Sequence, residues 1–241
     1  MLRYYARLNP EKVEESFLNR EEVMRVSDVG AQLGFGLSVL DERGLLRTDR
    51  GALEPKHACP LLTWPFLDLL ESLELSRCSL LELGSGNSTL WFGNRFERVR
   101  SFETDERWQR ALAPHLPANV SLELVSLEQL ERGALAYLDE TFVLVDFAGH
   151  RTRFLRHFLA QLGELRPNAI ILDNADWYRN GARLLARHGY RELPFHGFKS
   201  GQSFISCTSL FVHQQSALPH VKEGFYRPEF ARRFDNAWDA P

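Results

Sequence analysis

The chain has 241 residues, 44% hydrophobic and 25% charged, which is enough apolar material for one sizeable core and too short for two independent domains. A formal net charge of −3 supplies no overall positive field to gather nucleic acid or an anionic membrane, so neither is expected as a partner. The three cysteines, Cys59, Cys78 and Cys207, form no close metal or redox pair, and no apolar run suits a signal peptide or membrane span; the expected location is the cytoplasm.

Asn9-Pro10-Glu11 reads as a helix start, and the glycines between Gly30 and Pro55 leave that stretch unassigned. Residues 1–59 are read as a partly helical extension, 60–213 as the main domain and 214–241 as an aromatic tail packing on it. Thr63-Trp-Pro-Phe66 opens an amphipathic helix through Leu67, Leu70 and Leu73. Short apolar runs then alternate with helical periods, giving strands at Ser79–Leu83, Val99–Glu103, Val120–Val125, Phe142–Asp146, Ala169–Asp173, Tyr190–Phe195 and Phe204–Val212. Between the fourth and fifth, Phe154, Leu155, Phe158, Leu159, Leu162 and Leu165 make one helical stripe. The fold class is therefore α/β, a Rossmann-like three-layer sandwich whose seven-stranded sheet is mostly parallel. Only His196 to Ser203 separates the last two strands, too short for a crossover helix, so the last strand is antiparallel. Two arginine runs, Arg151, Arg153 and Arg156, then Arg179, Arg183, Arg187 and Arg191, read as solvated helix faces.

The first strand ends in Glu82-Leu-Gly84-Ser85-Gly86-Asn87-Ser88-Thr89, with a helix starting near Ser88. Two glycines allow a tight turn and clear side chains from a ligand's path. A dinucleotide loop would place a small residue where Thr89 stands, for close approach of a pyrophosphate; S-adenosylmethionine has no phosphate, and Glu82 suits its ammonium group. Glu103, ending the second strand, can accept both ribose hydroxyls, and Thr104 leads into the next helix.

These motifs resemble the class I S-adenosylmethionine-dependent methyltransferases. More narrowly the chain is similar to a bacterial group with a Gly84-to-Thr89 first motif, Leu172-Asp173-Asn174 on the fifth strand, Thr208-Ser209 on the last and Thr63-Trp64-Pro65 before the first. The resemblance covers about residues 60–212 and implies a seven-stranded sheet with a reversed final strand, and S-adenosylmethionine as cofactor.

Methyl transfer from a sulfonium needs an aligned and sufficiently basic nucleophile. Asp146 ends the fourth strand and Asp173-Asn174 the fifth, so adjacent parallel strands would bring three oxygen ligands to one rim. Asp146, Asp173 and Asn174 form a hard set suited to magnesium, similar to the catechol-type metal-dependent O-methyltransferases. Those enzymes place a lysine soon after the first Asp, whereas this chain has Gly149, His150 and Arg151, so the base does not carry over. His150 is the candidate base, with Asp146 as its catalytic neighbour; Asp146 also faces the cofactor. In the metal-free reading Asp146 caps a helix or holds substrate, and Asp173-Asn174 ends a strand through its own hydrogen bonds. The remaining histidines, His57, His115, His157, His188, His213 and His220, are read as structural or solvated.

The loop His196 to Ser203 should form the acceptor rim, flexible at Gly197 and Gly201, with His196, Lys199 and Gln202 as polar contacts. The expected function is O-methylation of a small molecule or sugar-type metabolite. A nicotinamide oxidoreductase, an aminopropyl transferase and a catalytically inactive cofactor-binding accessory protein stand beside it as alternatives.

Overall fold

In a computed structural model, residues 53, 55, 58–133, 135, 137, 139–163, 165–200, 202 and 204–223 are described. The helix expected at Asn9 lies outside them, as do Gly201, Ser203 and residues 224–241. Along the described chain run α1 (Trp64–Ser72), β1 (Ser79–Leu83), α2 (Asn87–Gly93), β2 (Arg98–Glu103), α3 (Glu106–Leu112), a 3₁₀ turn (Ala113–His115), β3 (Val120–Leu124), α4 (Leu127–Glu131), β4 (Phe142–Val145), α5 (Arg151–Gln161), β5 (Ala169–Asp173), α6 (Arg179–Arg187), β6 (Tyr190–Gly197) and β7 (Ser206–His213). No helix among them is long and apolar enough to cross a membrane.

The seven strands form one sheet in the order β3-β2-β1-β4-β5-β7-β6. From β1 the chain moves outward through β2 and β3, then returns to the other side of β1 with β4 and β5, all parallel. The reversal of direction lies between β1 and β4, where an open α/β sheet leaves a crevice beyond its strand ends. Only β7 is reversed, antiparallel to both β5 and β6. The sheet is the Rossmann-like seven-stranded sandwich expected.

Alternation along the strands divides the core into two layers. Leu81, Leu83, Val143, Val145, Ile170 and Leu172 face Phe154, Leu155 and Phe158 of α5 and Leu185 of α6. Leu80, Val99, Phe142, Leu144 and Ile171 face Phe66 and Leu70 of α1 and Trp91 and Phe92 of α2. Each fully buried Phe or Leu contributes roughly 1.5–3 kcal/mol, which is what holds helices on both faces. The α5 stripe ends with Leu162, and Leu165 is exposed. The hairpin closes later than expected: β6 runs to Gly197 and β7 starts at Ser206, leaving Phe204 and Ile205 exposed outside the ladder.

The start of α1 is tied to the β6–β7 turn. Trp64 N donates to Phe198 O (2.9 Å) and Thr63 Oγ1 to Phe195 O (3.0 Å). A Cβ on Gly197 would meet Pro65 Cδ at 2.6 Å, so this glycine permits close packing and is not a hinge. Of the tail, Leu218 packs on the α1-side core and Val221 bridges to Leu73.

Candidate functional site

The loop after β1 is built around a buried carboxylate. Glu82 shares the Leu80 face, beneath α2, and is paired in register with Ser101. Its oxygens accept from Ser88 Oγ (2.6 Å), Thr89 Oγ1 (2.7 Å) and Ser101 Oγ (2.7 Å). Burial pushes its pKa up to about 7, against the pull of those three hydroxyls. Thr89 Oγ1 also accepts from Gly86 N (2.9 Å), which uses a loop N–H that a phosphate would want. Glu82 and Thr89 are fully buried and lie outside the cavity described below. Their geometry is that of a loop scaffold, and Glu82 is not placed to meet a ligand's ammonium group as the sequence suggested.

The two glycines have different roles. Gly84 has φ +97°, and a Cβ there would meet Asp146 O at 2.6 Å and Phe147 Cα at 2.9 Å. Gly86 is extended (φ 174°), and a Cβ there would meet nothing closer than Trp108 Nε1 at 3.7 Å. Gly84 therefore makes the turn, while Gly86 keeps its surface bare. Trp108, which sequence reasoning missed, donates from Nε1 to Ser85 O (2.9 Å) and walls this side.

At the end of β2, Glu103 is saturated by the protein. Oε2 accepts from Ser85 N (3.0 Å) and Ser85 Oγ (2.7 Å), and Oε1 from Thr104 N (2.7 Å) and Asp105 N (2.9 Å). Asp105 caps α3 by accepting from Arg107 N and Trp108 N.

Across the cavity, Asp146 and Asp173 follow paired positions, Val145 and Leu172, of neighbouring strands, so both carboxyl groups stand at one rim. Two buried cations face them. Arg151 donates from Nη2 to Asp146 Oδ1 (2.9 Å), from Nη1 to Asp173 O (2.6 Å) and from Nε to Phe147 O (2.8 Å). Lys199 Nζ pairs with Asp173 Oδ2, both side chains being 2% exposed. Asp173 Oδ1 accepts from Thr208 Oγ1 (2.7 Å), which in turn accepts from Thr63 N (3.1 Å). Asn174, in the left-handed region at φ 52°, turns its amide so that nitrogen donates to Asp173 Oδ2 (2.8 Å) and oxygen accepts from Lys199 Nζ (3.1 Å) and Ser206 Oγ (3.2 Å). The Thr63, Asp173-Asn174 and Thr208 motifs thus converge on one carboxylate. Burial, and then the Asp173 charge, raise the Asp146 pKa, opposed by Arg151 and Lys199.

Both halves line one cavity of about 750 Å³, within the size of small-ligand pockets. Gly84, Ser85, Gly86, Asn87, Ser88, Glu103 and Thr104 line one end; Asp146, Asp173, Asn174 and Lys199 line the other. Cys59, Leu61 and Trp177 form part of the wall, with Trp177 67% exposed. Burial pushes the Cys59 thiol up to about 11, which keeps it protonated and poorly nucleophilic.

Two expectations require correction. His150 is exposed, heads α5 through its backbone N–H to Glu131 Oε1 (2.9 Å), and lines a different groove with Arg153, Arg156 and His157. The chain turns tightly at Gly149, against Leu127, Phe147 and Glu131, so it is Arg151 that reaches back to Asp146, buried rather than on a solvated face. Nor do Asp146, Asp173 and Asn174 fit magnesium. Both oxygens of Asp173 have protein donors, and two buried cations already balance the two carboxylates. No group of three or more His, Cys, Asp or Glu side chains among the described residues is placed to hold a metal ion.

No protein-family model matches the chain, and no curated protein matches it. Among solved structures it is similar to a precorrin-6y C5,15-methyltransferase from Geobacter metallireducens, 16% identical over 69% of this chain and 95% of that one, with a TM-score of 0.49. A precorrin 8w decarboxylase from Methanobacterium thermoautotrophicum is 16% identical over 69% and 98%, with a TM-score of 0.46. A dimethyladenosine transferase from Plasmodium falciparum is 13% identical over 64% and 63%, with a TM-score of 0.46. Likeness this distant says nothing of the chemistry, which has to be read from the chain's own side chains.

Proposed function

We propose that the chain binds S-adenosylmethionine between the Gly84–Ser88 loop and Glu103, and methylates a hydroxyl of a small-molecule acceptor beside Asp146. The reading is carried by one observation: a single cavity joins a strand-end carboxylate already holding a hydroxyl donor to the carboxylate pair at the ends of β4 and β5. When bound, the sulfonium supplies the methyl group, whose transfer leaves a neutral thioether. Glu103 Oε2 would take ribose hydroxyls in place of Ser85 Oγ, while Gly86 leaves room for the ligand beside Trp108. Asp146, raised in pKa and held by Arg151, is the group suited to take a proton from the acceptor. A nicotinamide dinucleotide is disfavoured, since the Gly86 N–H is spent on Thr89 and no arginine lines the cavity among the described residues.

Isothermal titration with S-adenosylmethionine, NAD and decarboxylated S-adenosylmethionine tests the reading. The expected result is binding of the first, in the micromolar range, and no heat with NAD. Binding of NAD alone would replace the proposal with an oxidoreductase. Binding of S-adenosylmethionine with no S-adenosylhomocysteine released across a panel of phenols, sugars and amines would leave an accessory protein.

A further inference from the structure

With both carboxylates ionised, the charges at the acceptor end of the cavity sum to zero without any metal. Two carboxylates, Asp146 and Asp173, face two buried cations, Arg151 and Lys199, and a divalent ion added there would sit against both. Lys199 differs from Arg151 in its reach. Arg151 gives three of its five N–H groups to Asp146 and to two backbone carbonyls and does not line the cavity, whereas Lys199 lines it and has three N–H groups, two of them given to Asp173 and Asn174 among the described residues. Asp146 likewise lines the cavity and is anchored to Arg151 through Oδ1.

We infer that Lys199 is the resident cation of this site, standing where a metal-dependent enzyme keeps its ion, and that Lys199 and Asp146 together form a subsite for an acidic hydroxyl such as a phenol or enol. The inference rests on the methyl-transfer reading. The acceptor oxygen would receive the third Lys199 N–H while its own proton passes to Asp146. The acceptor O–H bond breaks and an O–H bond forms on the carboxylate. The negative charge moves from Asp146 to the acceptor oxygen beside the ammonium. The net charge of the subsite stays at zero, and nothing is oxidised or reduced. A compact ammonium suits this task better than a guanidinium, whose fork needs two acceptors in its plane.

Two measurements on the full chain with S-adenosylhomocysteine test it. Manganese(II) is titrated in and followed by electron paramagnetic resonance, and 4-nitrophenol, which has one acidic hydroxyl and cannot chelate, is followed by its phenolate absorbance below the pH at which it ionises in water. The expected results are a manganese spectrum that stays that of the free ion, and a phenolate band that appears on binding. Lys199→Met/Asp173→Asn removes both charges together, so neither is left buried alone. It should weaken 4-nitrophenol binding at least about tenfold and leave S-adenosylmethionine affinity within about twofold. Manganese bound by the wild type and released by Asp173→Asn would overturn the inference. So would a wild type that gives no phenolate band, or a double variant that keeps it. The manganese arm needs no variant to fold. Failure of the methyl-transfer reading looks different: it appears as a wild type that does not bind S-adenosylmethionine, or that binds it and releases no S-adenosylhomocysteine with any acceptor.

Discussion

Glu103 accepts four hydrogen bonds within the protein, as many as a carboxylate has lone-pair positions, so a ligand can be received only when one donor is released. Three of the four are backbone N–H groups fixed by the loop and the start of α3; the fourth, Ser85 Oγ, turns about one bond. Ser85→Ala should therefore leave S-adenosylmethionine affinity unchanged or improve it, by removing an internal competitor. Glu103→Ala should weaken binding by about 1.5–3 kcal/mol, or roughly 10- to 150-fold, since the lost bonds are to a charged acceptor. Titration of both variants checks the pair, and a loss in Ser85→Ala as large as in Glu103→Ala would make the hydroxyl itself a ligand contact. Lys199 is constrained in another way. An alanine there strands Asp173 without its cation, at about 3–5 kcal/mol of stability, so the loss would be one of folding as well as of acceptor recognition.

At the level of elements, the loop between β1 and α2 makes the sharpest division between folding and binding. Gly84→Ala forces a side chain into the left-handed region, about 1–2 kcal/mol, and onto the Asp146 carbonyl, so it should lower stability by more than about 2 kcal/mol in urea denaturation. Gly86→Ala meets no such contact, should unfold within about 1 kcal/mol of wild type, and should act on cofactor affinity alone. Equal instability in the two would mean that the loop differs from this geometry. The sheet was legible in the sequence because β4 and β5 are continuous apolar runs ended by acids, and because eight residues cannot cross over between β6 and β7. Where the acidic strand ends would meet was legible too, from parallel neighbours. Which side chain returns to them was not, because Gly149 sets the turn through contacts with α4 that are distant in sequence. Arg151 nonetheless carried a signal: a cation in the first turn of a helix opposes the dipole, and calls for a nearby acid. Lys199 carried another, as one of four lysines among 29 basic residues.

Across the whole molecule, the buried carboxyl of Glu82 links folding to pH. Its pKa is near 4.5 when the chain is unfolded and about 7 when folded, because the ionised form is buried at the centre of the sheet with only hydroxyl donors to solvate it. Between those values the folded chain holds a proton that the unfolded chain has lost, so stability falls as pH rises. The contribution is complete below pH 4.5, declines toward pH 7 and is gone above it, a change of about 3 kcal/mol at 1.36 kcal/mol per unit. Asp146 is shifted in the same direction and adds to the slope, whereas burial lowers the His213 pKa and acts oppositely on the acid side. Comparison with Glu82→Gln isolates one share, since the other groups titrate alike in both proteins. The neutral amide can keep the network: its oxygen accepts from Thr89 and Ser101, and its nitrogen donates to Ser88 once that hydroxyl has turned. Urea denaturation at pH 5 and pH 8 should show the variant gaining on the wild type by about 2.5 kcal/mol between the two. A constant difference would mean that Glu82 folds as a carboxylate with an ordinary pKa, and that water or a cation reaches it beneath α2.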